Sequence, residues 1–121
     1  MGFYREFIYT MKSMSDVSRE LLISQLKVWE LAKGNYANLS TVKFKEIDFD
    51  GFKIRVQFNP ARIQSSAAKV DAQSIQNRRC FLCPVNLPKE QEGIDFEDRY
   101  QILVNPFPIF PEHFTIPSYA H

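Results

Sequence analysis

The chain has 121 residues, of which 45% are hydrophobic and 24% charged, and its formal net charge is +1. This length allows one compact domain, and this balance is typical of globular rather than disordered proteins. Fifteen basic against fourteen acidic residues exclude a general nucleic-acid binder. The sequence shows no recognisable signal peptide and no apolar run of roughly 20 residues that could span a membrane. We therefore expect a cytoplasmic protein with reduced cysteines, and neither nucleic acid nor membrane as a partner.

The N-terminal part of the chain predicts one amphipathic helix from residue 16 to about residue 33. Apolar residues recur there at intervals of three and four and form a single stripe. Ser15 or Asp16 can cap its first turn, and Gly34 stands where helices commonly end. Residues 1–14 are interpreted as an N-terminal extension, and residues 15–121 as the domain.

The next segment predicts a β-hairpin. Asp50 and Gly51 form a strong two-residue turn signal between candidate strands at residues 41–49 and 52–58. The second strand alternates apolar and polar residues strictly, which predicts one buried face and one polar face. The first strand alternates less cleanly, which predicts a bulge or a twist.

The C-terminal half is expected to complete an antiparallel sheet. Residues 100–105 and 113–116 predict two further strands, and the prolines between them favour an extended path. Residues 67–76 predict a helical turn, and the segment from 87 to 99 predicts a polar connection. The expected fold class is α+β, with a partial antiparallel sheet and an N-terminal helix.

Cys80 and Cys83 are the two cysteines of the chain and form a C-x-x-C pair. Thiolates at this spacing suit tetrahedral Zn²⁺, and the two histidines, His113 and His121, are available as further ligands. Two buried, inert thiols fit the same spacing. A redox pair fits less well, because no helix clearly begins after the first cysteine. His113 lies in an apolar run, where a packed side chain is more common than a ligand, so spacing alone leaves these interpretations open.

A polar loop after the hairpin carries groups that suit an anion. Arg62 and Lys69 supply positive charge, and Ser65 and Ser66 between them supply hydroxyl groups. The loop has no P-loop motif, and an ordinary solvated loop fits the same composition. Composition and spacing thus give two candidate sites but no reaction.

Three segments resemble known protein families. CFLCPVN resembles the zinc knuckle of galactose-1-phosphate uridylyltransferases, and YQILVNPFPIFPEHFTIPSYAH resembles the strand-turn-strand region of the histidine-triad (HIT) superfamily. VQFNPAR resembles a run that precedes the active site in plant-type GDP-hexose phosphorylases. From about residue 31 onward, the set resembles DUF4922, a family of uncharacterised bacterial proteins placed beside those phosphorylases. The resemblance implies a partial HIT-like fold.

The resemblance also implies roles for particular residues. Cys80, Cys83 and His121 match ligands of a structural zinc ion, and His113 matches a positioning residue. The residues that match positions near a nucleotide or sugar phosphate are Gln57, Asn59, Arg62, Ser65, Ser66 and Lys69. The implied ligand is a nucleotide or a nucleotide sugar.

The implied activity is nucleotidyl transfer or phosphorolysis on a nucleoside-diphosphate sugar or a dinucleoside polyphosphate. The family nucleophile is the central histidine of an H-x-H-x-[HQ] motif, which forms a nucleotidyl-histidine. The sequence contains neither this motif nor a fourth family ligand for zinc. We therefore expect an N-terminal part of a longer protein, inactive by itself. The alternative is a non-catalytic, zinc-stabilised binding or assembly module, and a homodimer through an incomplete sheet edge is a further expectation.

Overall fold

The computed structural model describes residues 12–121, so most of the predicted N-terminal extension lies outside the described residues. The helices are α1 (Met14–Val28), α2 (Glu30–Ala37), α3 (Ile63–Ser66) and α4 (Ala72–Asn77), and the strands are β1 (Lys43–Phe49), β2 (Phe52–Phe58), β3 (Gly93–Phe96), β4 (Tyr100–Val104) and β5 (Phe114–Thr115). This confirms the predicted α+β class. The strands form two antiparallel sheets rather than one, β1-β2 and β3-β4-β5. Among residues 12–121, no helix is long and apolar enough to cross a membrane.

The predicted single helix is in fact two helices that meet at Trp29. Ser13 caps α1, because its hydroxyl accepts a hydrogen bond from the Asp16 N–H at 3.1 Å; the predicted cap at Ser15 or Asp16 is therefore wrong. Trp29 has an extended backbone (φ −109°, ψ 95°), which ends α1 and starts α2. Its side chain is 5% exposed, and burial of so large an indole stabilises the break. The predicted end at Gly34 is wrong too, since this residue lies inside α2.

The core lies between α1 and the three-stranded sheet. Leu21 and Leu22 of α1 contact Val104 of β4, which is fully buried, and Tyr36 and Phe114 pack against this cluster. The hydroxyl of Tyr36 donates to the His113 carbonyl at 2.9 Å, and burial raises the pKa of Tyr36 to about 12. These contacts hold β4 and β5 against the two N-terminal helices.

Gln25 of α1 is a buried polar residue with both ends of its amide satisfied. Its Nε2 donates to the Glu90 carbonyl at 3.0 Å, and its Oε1 accepts from the Glu92 N–H at 3.0 Å. The side chain is 1% exposed, so an unsatisfied amide here would be costly. Gln25 thereby fixes the segment that leads into β3 against α1.

Strand β3 was not predicted, because residues 87–99 are mostly polar. It pairs antiparallel with β4 through a tight turn in which Glu97 (φ 55°) and Asp98 (φ 54°) adopt left-handed conformations. The signal for it was the short alternation of Ile94 and Phe96, which are half-buried. Strand β5 has two residues instead of the predicted four.

The hairpin forms as predicted around Asp50 and Gly51. Gly51 has φ +84°, which favours glycine, and the seven residue pairs are in continuous register without the predicted bulge. The prediction of a buried face is wrong for the described chain. Along β2 the apolar side chains are 42% to 64% exposed, because alternation shows which residues share a face but not whether anything covers it.

Candidate metal centre

Three potential metal ligands lie close together at one end of the domain. The sulfur atoms of Cys80 and Cys83 and a ring nitrogen of His121 are all within 4.8 Å of one another. The Cys83 sulfur is 2.8 Å from the His121 Nε2, although the two residues are 38 positions apart in the chain. The fold thus brings the three sequence-predicted ligands to one point.

A closed turn holds the two thiols on one side. The Cys83 N–H donates to the Cys80 carbonyl at 3.3 Å, and the Asn86 N–H donates to the Cys83 carbonyl at 2.9 Å. The Asn86 side chain then reaches back, and its Nδ2 donates to the Cys80 carbonyl at 2.9 Å. Sequence reasoning missed this residue, although an asparagine just after a C-x-x-C-P segment is a recognisable turn signal.

The segment that carries His121 is fixed along β4. The Gln101 N–H donates to the Pro117 carbonyl at 3.0 Å, and the Tyr119 N–H donates to the Arg99 carbonyl at 3.0 Å. The Tyr119 hydroxyl also donates to the Asp95 carboxylate at 2.9 Å. These bonds continue the strand pairing beyond β5, and they carry the chain to the C-x-x-C turn.

The two thiols differ in acidity. The Leu82 N–H and the thiol of Cys83 both hydrogen-bond the Cys80 sulfur, and this lowers the pKa of Cys80. The same bond raises the pKa of Cys83, the donor. Cys80 is therefore the thiol that ionises first, in the form that binds a metal ion.

The donor set fits a zinc-type ion. Two sulfurs and one imidazole nitrogen are ligands that Zn²⁺ binds in tetrahedral geometry, with bonds of about 2.3 Å to sulfur and 2.0 Å to nitrogen. Ligand atoms of one such ion stand roughly 3.5 to 3.8 Å apart. The 2.8 Å contact of Cys83 with His121 is thus a hydrogen bond that a small movement of the ring would open. Among the described residues the cluster offers three ligands, so a tetrahedral ion held here would need one further ligand.

A cavity of about 330 Å³ adjoins this turn. Phe81 and Leu82, which stand between the two cysteines, form part of its wall. The other lining residues are Trp29, Leu31, Pro88, Gln91, Leu103, Val104, Asn105, Pro106, Phe107 and Thr115. The cavity is mostly apolar, and it was not predicted, because its wall combines residues from five separate stretches of the chain.

The residues predicted to bind phosphate do not gather into one cradle. None of the six lines the cavity just described. The Gln57 Nε2 donates to the Ile109 carbonyl at 3.0 Å, and the Asn59 Oδ1 accepts from the Ala61 N–H at 3.1 Å. Both side chains therefore have structural partners within the fold.

The other four residues of this set differ in how exposed they are. Arg62 is half-buried, and within residues 12–121 its Nε has no hydrogen-bond partner. Ser66 and Lys69 are exposed, and the side chain of Ser65 in α3 lies outside the described part of the structure. Arg62 and Lys69 are thus the two cationic members of the set, and the partnerless Nε of Arg62 is buried within the described part of the chain.

His113 lies beside Arg62. Its Nδ1 accepts a hydrogen bond from the Ile109 N–H at 3.1 Å. Burial and the positive charge of Arg62 lower the pKa of His113. The side chain is therefore a neutral acceptor near pH 7 that shapes the 109–113 turn.

We expect the stability of the chain to fall as the pH is lowered from 7 to 5, in part through His113. Because its folded-state pKa lies below the ordinary 6.5, the unfolded chain takes up a proton first, and stability is lost as the pH falls toward the folded value. His113→Asn keeps an acceptor for the Ile109 N–H but does not titrate. Thermal unfolding with a chelator present, which removes the contribution of metal release, should show a flatter profile for this variant. Identical profiles would contradict the assignment.

The fold and the cluster define a small α+β domain with a thiol- and histidine-based metal-type centre. A family model described as Domain of unknown function (DUF4922) matches residues 21–121. The chain belongs to this family, and the matched region contains all three candidate ligands and the whole wall of the cavity. No curated protein and no solved structure matches the chain.

Proposed function

We propose that the chain is a zinc-stabilised domain of the HIT-like type that binds a nucleotide or a nucleotide sugar. One observation carries the proposal: the turn from Cys80 to Cys83 belongs to both features. Its two cysteines are members of the metal-type cluster, and the two residues between them form part of the cavity wall. A bound zinc ion would act structurally, by holding this turn against the segment that carries His121.

The size and chemistry of the cavity support a nucleoside as the bound group. Its volume of about 330 Å³ is at the lower end of the range of small-molecule sites. Trp29, Phe81 and Phe107 offer aromatic faces for a base to stack on, and Asn105 and Thr115 offer polar groups for hydrogen bonds. Asn105 and Thr115 currently bond to each other at 3.2 Å, and a ligand hydroxyl could replace either partner.

Arg62 supports an anionic group on the ligand. Arg62 and Lys69 lie outside the cavity wall, and their positive charges suit a phosphate group that extends from the cavity toward the loop after β2. In this proposal these two residues contact phosphate, and the remaining members of the predicted set shape the loop.

For this chain the proposed function is binding rather than turnover. His121 belongs to the metal-type cluster, and His113 accepts a backbone hydrogen bond, so neither is available as a nucleophile. Where an H-x-H-x-[HQ] motif completes the site, the bound nucleotide would be presented for nucleotidyl transfer or phosphorolysis. The proposal keeps the expected cytoplasmic location, because the cysteines must stay reduced to bind zinc.

Titration calorimetry with the zinc-loaded chain tests the proposal. The panel comprises a nucleoside monophosphate, a nucleoside-diphosphate sugar and a dinucleoside polyphosphate, and at least one should bind. Phe81→Ala removes a stacking face and should weaken that binding by roughly 5- to 100-fold. Phe110→Ala is the matched control, since Phe110 is similarly exposed (61% against 65%) but does not line the cavity. Failure of the whole panel to bind, or equal losses in both variants, would contradict the proposal.

A further inference from the structure

The three candidate metal ligands line a second, smaller cleft at the surface. Its volume is about 130 Å³, well above the roughly 15 Å³ that one water molecule needs. Cys80 and Cys83 are half-buried, and His121 is exposed. We call this the thiol cleft, and its other lining residues are Leu82, Pro84, Pro117, Ser118 and Tyr119. Inert structural thiols are enclosed, whereas a molecule as small as hydrogen peroxide can enter beside both of these cysteines.

The two cysteines are also placed to react with each other. The hydrogen bond from the Cys83 N–H to the Cys80 carbonyl closes a four-residue turn, and such turns keep their end Cα atoms within about 7 Å. Disulfides span Cα separations of about 4.4 to 6.8 Å. The two sulfurs lie within 4.8 Å of each other, and the Cys83 thiol hydrogen-bonds the Cys80 sulfur. A disulfide therefore needs a movement within this turn rather than between separate elements.

We infer that this centre is a redox switch: hydrogen peroxide oxidises Cys80 and Cys83 to a disulfide, and the chain then releases its zinc ion. The inference rests on the proposed function, in which the cluster holds zinc. Neither sulfur of a disulfide is a thiolate, so of the three candidate ligands only His121 stays able to bind the ion. Reactivity here comes from access and proximity, so it does not require a helix that begins after the first cysteine.

The reaction balances with hydrogen peroxide as the only oxidant. One cysteine sulfur attacks the peroxide, the O–O bond breaks, and the sulfur becomes a sulfenic acid as the first water leaves. The other sulfur attacks the sulfenic sulfur, and the S–S bond forms as the S–O bond breaks and the second water leaves. Two electrons pass from the sulfurs to the peroxide. The two thiols supply two protons, which come from solvent when the sulfurs start as zinc-bound thiolates.

Leu82 connects the switch to the larger cavity. It lines both the thiol cleft and the cavity of about 330 Å³, and Phe81 beside it lines the larger cavity. Both residues lie inside the ring that the disulfide would close. Loss of the ion also frees the turn from the segment that carries His121. Oxidation would thus change the wall of the proposed nucleotide site.

Peroxide treatment of the zinc-loaded chain tests the inference. Elemental analysis first gives the zinc content, and a chromogenic zinc indicator then compares a peroxide-treated sample with an untreated one. We expect the treated chain to release about one zinc ion, to lose both thiols and to become lighter by two hydrogen atoms. A dithiol reductant should restore both thiols and zinc binding, because a disulfide is reversible whereas a sulfinic acid is not.

Cys83→His is the matched control, because it keeps a ligand that zinc accepts but removes the partner for the disulfide. Its zinc release after peroxide should be at least about tenfold slower than that of the wild type. If this variant binds no zinc, the metal-free wild type and Cys83→Ser are compared instead. Peroxide should give the wild type an internal disulfide, whereas the serine variant should give a sulfenic acid that a cyclic diketone traps.

The outcomes separate this inference from the proposed function. A zinc-loaded wild type that keeps its ion in peroxide, or that loses it with a sulfinic acid in place of the disulfide, overturns the inference and leaves the proposed function intact. Equal release from the wild type and Cys83→His, or a metal-free wild type without an internal disulfide, overturns it as well. A wild type that holds no zinc at the outset contradicts the metal centre and the switch together.

Discussion

Removal of bound metal should lower the Tm of the chain by roughly 10 to 20 °C. The proposed ion would bind the folded cluster of Cys80, Cys83 and His121 more tightly than the unfolded chain, so at 100 to 1,000 times its dissociation constant it would add up to about 3 to 4 kcal/mol of stability. In a domain of this size each kcal/mol corresponds to several degrees. Scanning calorimetry of the zinc-loaded chain, with and without chelator, measures the shift.

The double variant Cys80→Ser and Cys83→Ser controls for other effects of the chelator. It should unfold near the temperature of the stripped wild-type chain, and chelator should leave it unchanged. A wild-type chain whose Tm is the same with and without chelator contradicts a stabilising ion. Acidification should mimic the chelator, because protons compete with the ion for the thiolates and the imidazole.

Asn86→Ala should lower the affinity of the chain for zinc by about 10- to 100-fold. Asn86 is not one of the three candidate ligands; its side chain donates to the Cys80 carbonyl and so closes the turn that places both sulfurs on one side. Competition with a chromophoric chelator gives the affinity. Without metal the variant should lose little stability, which distinguishes a positioning role from a general loss of folding.

Asn38→Ala provides the matched control for this substitution. Asn38 is an exposed asparagine in a 3₁₀ helix, remote in sequence from the cluster, and its replacement removes an amide without touching the C-x-x-C turn. Equal zinc affinities for the two variants would refute the positioning role of Asn86.

Local signals in the sequence predicted the hairpin well, since its turn is set by two adjacent residues. Asp50 and Gly51 determine the register, and Gly51 takes the positive φ that the turn needs. Whether each face of the hairpin would be buried was not predictable from the local sequence, because burial depends on contacts with residues far along the chain. The alternation in β2 was identified correctly, yet its apolar side is exposed.

The break at Trp29 illustrates a second limit. The apolar period continues through Leu26, Trp29 and Ala32 without interruption, so the sequence predicts one helix. In the structure the helix breaks at Trp29 instead. We attribute the break to tertiary packing, because burial of the indole stabilises the fold more than an unbroken turn of helix would. Gly34 does not end the helix either, because glycine is only a weak local stop signal and the helix continues through it to Ala37.

The candidate ligands were identified by residue type together with a family resemblance, while their surroundings were not. Thiols two residues apart are visible in any sequence, but the 38-residue separation of Cys83 and His121 closes only through β4 and its pairing with residues 117–119. The cavity beside the turn likewise combines residues from separate stretches of the chain. The sequence therefore predicted the three candidate metal ligands but not the cavity that lies beside them.

The zinc content of the purified chain tests the central claim most directly. Elemental analysis after zinc loading and removal of free metal should give one zinc ion per chain for the wild type. Cys83→Ser, which removes a ligand, should give a content near zero under the same treatment. A wild-type content near zero, or an equal content in the two proteins, would contradict a metal centre at Cys80, Cys83 and His121.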